Sequence, residues 1–154
     1  MADTAAQPGV VPEPLRNYNF MVTVRLGTGA SPMFFTEVTG IGVRVAPISY
    51  REAGSNQVVR SFTGQVTYPP VTLRYGLSPD RQLWDWLMSA ASGQPHRSEV
   101  EIAVLDATGT REATAFVLHR AWPSEWIGAP LRSLGGEIAI DTLVLTYEGV
   151  ERRG

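Results

Sequence analysis

The chain predicts a mainly β fold, an antiparallel β-sandwich or partly closed barrel with one flanking α-helix at about residues 79–92. Three observations predict it. With 15 Gly and 11 Pro in 154 residues, 44% hydrophobic and 18% charged, the composition is that of a globular, turn-rich chain with many short strands. Tyr18, Phe20, Val22, Val24 and Leu26 alternate with Asn17, Asn19, Met21, Thr23 and Arg25, the period of two that puts one set on a core face. Only one segment, near residue 85, carries helical periodicity instead. The length fits one domain with one core, expected over residues 15–154. Residues 1–14, rich in Ala and Pro, are expected to be a flexible N-terminal segment, because they bury too little apolar area to offset their ordering entropy.

The elements follow in order. After the strand beginning near Asn17, Gly27-Thr28-Gly29 supplies a turn, and 33–39 and 43–51 read as strands, Pro47 being tolerated at an edge or a bulge. Residues 58–62 and 66–75 continue the β pattern, with a bend or edge position at Pro69-Pro70. Ser78 is placed to cap the helix, Pro79 fits its first position, Asp80 suits its positive end, and Gly93 lies just past its last turn. Val100, Ile102 and Val104 then alternate with Glu99, Glu101 and Ala103, and Asp106-Ala107-Thr108-Gly109 turns the chain into a hairpin strand at 111–120. The last strand, Glu137 to Glu148, is apolar at Ile138 and Ile140 but then at Leu143, Leu145 and Tyr147. A phase change near Asp141-Thr142 means either a bulge or a strand whose halves face different environments.

Composition excludes whole classes of chemistry. There is no cysteine, hence no thiolate nucleophile, disulfide or cysteine-ligated zinc site. All 13 basic residues are Arg, so the lysines of a phosphate-binding loop and of a Schiff-base enzyme are missing. His96 and His119 lack metal-ligand spacing, no G-x-S-x-G elbow is present, and Gly27/Gly29 and Gly40/Gly42 lack the third glycine of a dinucleotide site. Glu99 and Glu101 share a strand face, which reads as a solvated acidic face before it reads as an acid–base pair. An enzyme is therefore not expected, and no catalytic, metal or cofactor-binding residue is assigned. The net charge of −2 gives no footprint for specific nucleic-acid binding. No run approaches the ~18 apolar residues of a membrane span. Asp3 in place of a basic leader region argues against a secretory signal, so synthesis in the cytoplasm is expected.

Two features ask for a partner. Arg51-Glu52-Ala53-Gly54-Ser55-Asn56-Gln57 is a polar, charged excursion between two apolar pairs, longer than the loops of roughly 2–5 residues that usually join hairpin strands. It reads as an arm reaching towards a neighbouring subunit. The helix is apolar over most of its circumference, with only Arg81, Asp85, Ser89 and Ser92 forming a polar stripe. Trp84, Trp86 and Met88 then mark a second contact surface, unless both indoles pack beneath the chain's own loops.

Asn17-Tyr18-Asn19-Phe20, Phe35-Thr36-Glu37-Val38-Thr39-Gly40, Tyr50-Arg51-Glu52-Ala53-Gly54-Ser55-Asn56, Val71-Thr72-Leu73, Leu83-Trp84-Asp85-Trp86, Ala121-Trp122-Pro123 and Glu137-Ile138-Ala139-Ile140-Asp141-Thr142-Leu143 are the segments that carry a resemblance. In this order and spacing the chain, from Tyr18 to Val150, resembles the tail-tube protein family of contractile phage tails and phage-tail-like contractile injection systems. Ala53 stands where that family has a second glycine, Ser61-Phe62-Thr63-Gly64 replaces Leu-Pro-Gly, and Tyr75 replaces a basic residue.

The resemblance implies six copies in a ring whose inner strands join into a continuous β-barrel, and rings stacked into a hollow tube driven outward by a contracting sheath. It implies that Tyr50, Arg51, Glu52, Gly54 and Asn56 form an inter-subunit or inter-ring arm, and that Trp84, Trp86 and Met88 lie at a subunit boundary. It offers Glu99 and Glu101 as lumen-facing. Further copies of the chain, sheath, baseplate hub and initiator proteins, a tube terminator and a cargo are the implied partners, in a particle released outside the cell; no cofactor is implied. The alternatives are a tube initiator, a secreted ring of the type VI haemolysin-coregulated kind, or a monomeric β-sandwich ligand-binding module using its tryptophans as a carbohydrate platform.

Overall fold

The computed structural model describes residues 14–27, 29–51, 53–54 and 58–154, and the side chains of all of these except 29–32. The strands are β1 (Phe20–Leu26), β2 (Gly29–Met33), β3 (Glu37–Thr39), β4 (Arg44–Arg51), β5 (Val59–Thr67), β6 (Val71–Gly76), β7 (Ser98–Leu105), β8 (Glu112–Ile127), β9 (Ile140–Thr146) and β10 (Gly149–Arg153), and the helix is α1 (Gln82–Ala91). Eight strands form one antiparallel path, β2-β1-β7-β8-β9-β6-β3, with β10 also on β8. The path does not close into a barrel. It is mainly β with one helix, as the composition and the period-two alternation require.

The path folds into two layers at β8. Residues 115–119 of this strand pair with β10, and residues 122–127 pair with β9 along the same edge. Between them the register against β7 jumps from Ala121↔Ser98 to Leu118↔Val100, and Arg120 adopts φ 53°. This bulge bends the strand, so that its two halves belong to two layers facing one another. Val22, Val24, Val100, Ile102 and Leu118 meet Val71, Leu73, Leu143 and Leu145 in one core. The inward set of β9 is Asp141, Leu143 and Leu145 without a break. The phase change expected near Asp141-Thr142 lies instead at Glu148, opposite the bulge, where the inward set passes from Tyr147 to Val150. Ile138 precedes the strand and is exposed, which is why the sequence pattern looked shifted there.

Several boundaries differ from expectation. The 33–39 strand is two strands separated at Phe34–Thr36, and the expected break at 63–65 is only a bulge, because Gly64 comes close to Ala46 and Ile48: a Cβ there would lie 2.7 Å from Ala46 O. The 111–120 strand runs on to Ile127 through Pro123, which the Pro123/Glu125 bulge accommodates. The helix starts at Gln82, three residues later than the Ser-Pro-Asp signal implied. Ser78 Oγ accepts from Asp80 N (3.3 Å) and Asp80 Oδ1 from Gln82 N (3.0 Å), so these residues make two local turns leading into the helix. Gly93, at φ +86°, ends it as expected.

Candidate assembly surfaces

β4 and β5 pair with each other only and stand apart from the eight-strand path. The cross-strand pairs include Val45↔Val66, Ile48↔Phe62 and Tyr50↔Arg60. Every residue of the ribbon except Gly64 is exposed. Ile48, Phe62 and Tyr50 nevertheless share one side, with Tyr50 and Phe62 edge to face at 6.2 Å and Ile48 and Phe62 each 55% exposed. A two-stranded ribbon is marginal in water without a packed face. Arg44, Arg51 and Arg60 meet no acidic side chain among the described residues. The expected arm at 51–57 is therefore the tip of a larger device: Tyr50 and Arg51 end β4, Gly54 turns at φ +102°, and Glu52 and Asn56 lie outside the described residues.

The helix divides its tryptophans. Trp86 is buried, its Nε1 donating to His96 O at 2.6 Å, so it belongs to the core and offers no surface. Trp84 is 38% exposed and stacks edge to face on Trp126 at 5.0 Å; Met88 is exposed to a similar degree. Trp126 Nε1 donates to Tyr75 Oη (3.2 Å), and burial pushes the Tyr75 phenol above its ordinary pKa. Beneath them Asp141, buried, accepts from Ala129 N at 2.8 Å and pins the start of the 128–139 connection. Sequence reading assigned Asp141 no role; its position on an otherwise apolar strand face was the available signal.

The outward face of β1, β7, β8 and β10 is a ladder of charges. Glu99 lies between Arg25 (3.9 Å) and His119 Nδ1 (3.3 Å), Glu151 between His119 Nε2 (3.2 Å) and Arg153 (3.4 Å), and Glu101 by Arg153 (3.9 Å). Glu99 and Glu101 thus sit on a mixed face, not an acidic one. Ala103, Ala115 and Val117 on the same strands are buried. At the fold's corner Glu148 accepts from Arg97 (2.7 Å) and Arg120 (2.8 Å), clamping the bulge.

An open cleft of about 520 Å³ lies between the β2–β3 link, the end of β6 and the start of the helix, lined by Phe34, Phe35, Tyr75, Asp80 and Leu83. Among the described residues, no three His, Asp or Glu side chains group as metal ligands. No helix among the described residues is long and apolar enough to cross a membrane.

The family model described as T4-like virus tail tube protein gp19 matches residues 16–151. The chain belongs to this tail tube family. Members are structural proteins and not enzymes, and this tail tube protein has that structural role. Among solved structures, a chain of the anti-feeding prophage tube terminating cap is 24% identical, covering 99% of each chain at a TM-score of 0.82. A chain of the PVC extracellular contractile injection system sheath–tube complex is 24% identical, covering 93% of each at 0.81. One from the six-fold symmetrised anti-feeding prophage baseplate is 20% identical, covering 94% of this chain and 98% of that one at 0.83. An Hcp protein fits less closely, 12% identical with a TM-score of 0.55. These likenesses establish the fold. No curated protein matches.

Proposed function

We propose that the chain is the inner-tube subunit of a contractile injection system or phage-tail-like particle, forming stacked hexameric rings that enclose a conduit for cargo. The observation that carries this is the β4–β5 ribbon of a tail tube family member: an apolar face with no cover among the described residues. A neighbouring copy supplies that cover, pairing the open edges and removing the aggregation hazard they present. Tyr50, Arg51, Glu52, Gly54 and Asn56 then lie at the contact, the charged pair setting register more than affinity. Trp84 and Met88 border a second subunit contact. Glu99 and Glu101, set beside Arg25, His119 and Arg153, then face the lumen.

The neighbours whose structures include a sheath, a baseplate and a tube terminating cap support sheath, baseplate and terminator as partners, and release in an extracellular particle. Work in injection comes from the sheath; the tube is passive. Negative-stain electron microscopy over a range of concentration tests the reading. Long hollow tubes are expected; discrete rings that never stack point to an initiator, a terminator or a secreted ring, and a persistent monomer sinks it.

A further inference from the structure

The connection between β8 and β9 exposes three large aliphatic side chains within eight residues: Leu131, Leu134, which is 100% exposed, and Ile138 at 82%. The same molecule holds the open cleft of about 520 Å³ described above, with Phe34, also fully exposed, at its mouth. Knob and cleft are both mainly apolar, and neither is filled by the described residues. They also carry opposite charge. Arg132 on the knob has no ion pair among the described residues, and Asp80 in the cleft likewise has none, using only one carboxylate oxygen on Gln82 N.

Their placement on β6 matters most. Successive strand residues point to opposite faces. Arg74, outward, lines a hollow of about 280 Å³ with Arg132 and Ile138 of the knob, whereas Tyr75, inward, lines the cleft. Knob and cleft thus open on opposite sides of one sheet edge. A copy can hold the knob of one neighbour while offering its own to the next, the heterologous geometry from which rings or tubes are built.

We infer that the 131–138 connection of one copy docks into the Phe34/Tyr75/Leu83 cleft of a second copy, Leu134 entering it and Arg132 facing Asp80. This rests on the self-assembling tube reading but names a contact separate from the β4–β5 ribbon. Burying Leu134 in this way is worth a factor of roughly ten or more in association.

The absence of cysteine allows a direct test. Leu134→Cys and Phe34→Cys proteins, both altered at fully exposed positions, are mixed, assembled and oxidised. A mixed disulfide well in excess of either homodimer is expected, and the double variant should give a ladder of covalent oligomers. Leu134→Ser should raise the concentration needed for assembly roughly tenfold or more while the melting temperature of the monomer stays unchanged. Arg132→Asp should weaken assembly and Asp80→Arg in the same chain should restore it. Normal tubes without the mixed disulfide, or with an unchanged assembly threshold for Leu134→Ser, overturn this contact and leave the conduit reading standing. A wild-type chain that stays monomeric overturns both.

Discussion

Two tryptophans two residues apart on one helix meet opposite fates. Trp86 fills the core and spends its N–H on His96 O, so Trp86→Ala leaves both a cavity and an unpaired carbonyl; a loss of about 3–5 kcal/mol in urea unfolding is expected. Trp84 keeps one edge in water and loses chiefly its contact with Trp126, so Trp84→Ala should cost clearly less than Trp86→Ala in the same measurement. Equal losses would show that the helix is seated differently. Gly40 is held by its surroundings: at φ +93° a Cβ would lie 2.5 Å from Pro70 O, so Gly40→Ala should destabilise through both strain and the forced separation of β3 from the Pro69-Pro70 bend.

Single ionisable groups give opposite pH signs. Asp106 is held below the ordinary carboxylate range, chiefly by the hydrogen bond from Thr108 Oγ1; desolvation opposes it, and the N–H groups of Arg111, Thr110 and Thr108 add to the lowering. Its contribution is therefore present above the unfolded value, near about 4, and lost as pH falls through the lower folded value. Tyr75 and Tyr147 are pushed up, chiefly by burial, so theirs is present below about 10 and lost as pH rises through the higher folded values. Thermal melts should accordingly fall off at both extremes, and Asp106→Asn should flatten the acid limb alone.

At the scale of elements, the β4–β5 ribbon and the charged face behave in opposite ways. Phe62→Asp places a charge on the ribbon's apolar side without touching the core, so the monomer's melting temperature should hold while tubes fail to form under the electron microscope. Tubes of normal length would remove the ribbon from the assembly contact. The charged ladder across β1, β7, β8 and β10 consists of partly exposed pairs, each worth only about 0–1 kcal/mol. Raising salt to about 1 M, where charges are screened beyond about 3 Å, should shift the monomer's melting temperature little. A large drop would mean that the ladder holds β10 in place.

For the whole molecule, what was legible in the sequence is what depends on local pattern. Alternation at Phe20–Leu26 and Val100–Val104, the Asp106–Gly109 turn and the apolar helix all report the surroundings of neighbouring residues, and the structure has each of them; Tyr18, expected on the core face, precedes β1 and is exposed. The absence of cysteine and lysine excluded chemistries on composition alone, and the order of short motifs from Asn17 to Leu143 carried the tail tube resemblance that the family match bears out. Tertiary structure decided the rest. The bulge at Arg120 and its clamp by Arg97 and Glu148 join residues about fifty positions apart, so no window along the chain reveals that β8 turns the corner between two layers. Glu99 and Glu101 looked acidic in sequence because Arg25, His119 and Arg153 reach them only across strands. Trp84 and Trp86 looked alike because periodicity places side chains around a helix but does not say what covers them. An apolar ribbon face has the same alternation whether a sheet lies over it or nothing does, and only the tertiary structure, in which the described residues pack their apolar sides elsewhere, leaves that of β4 and β5 open.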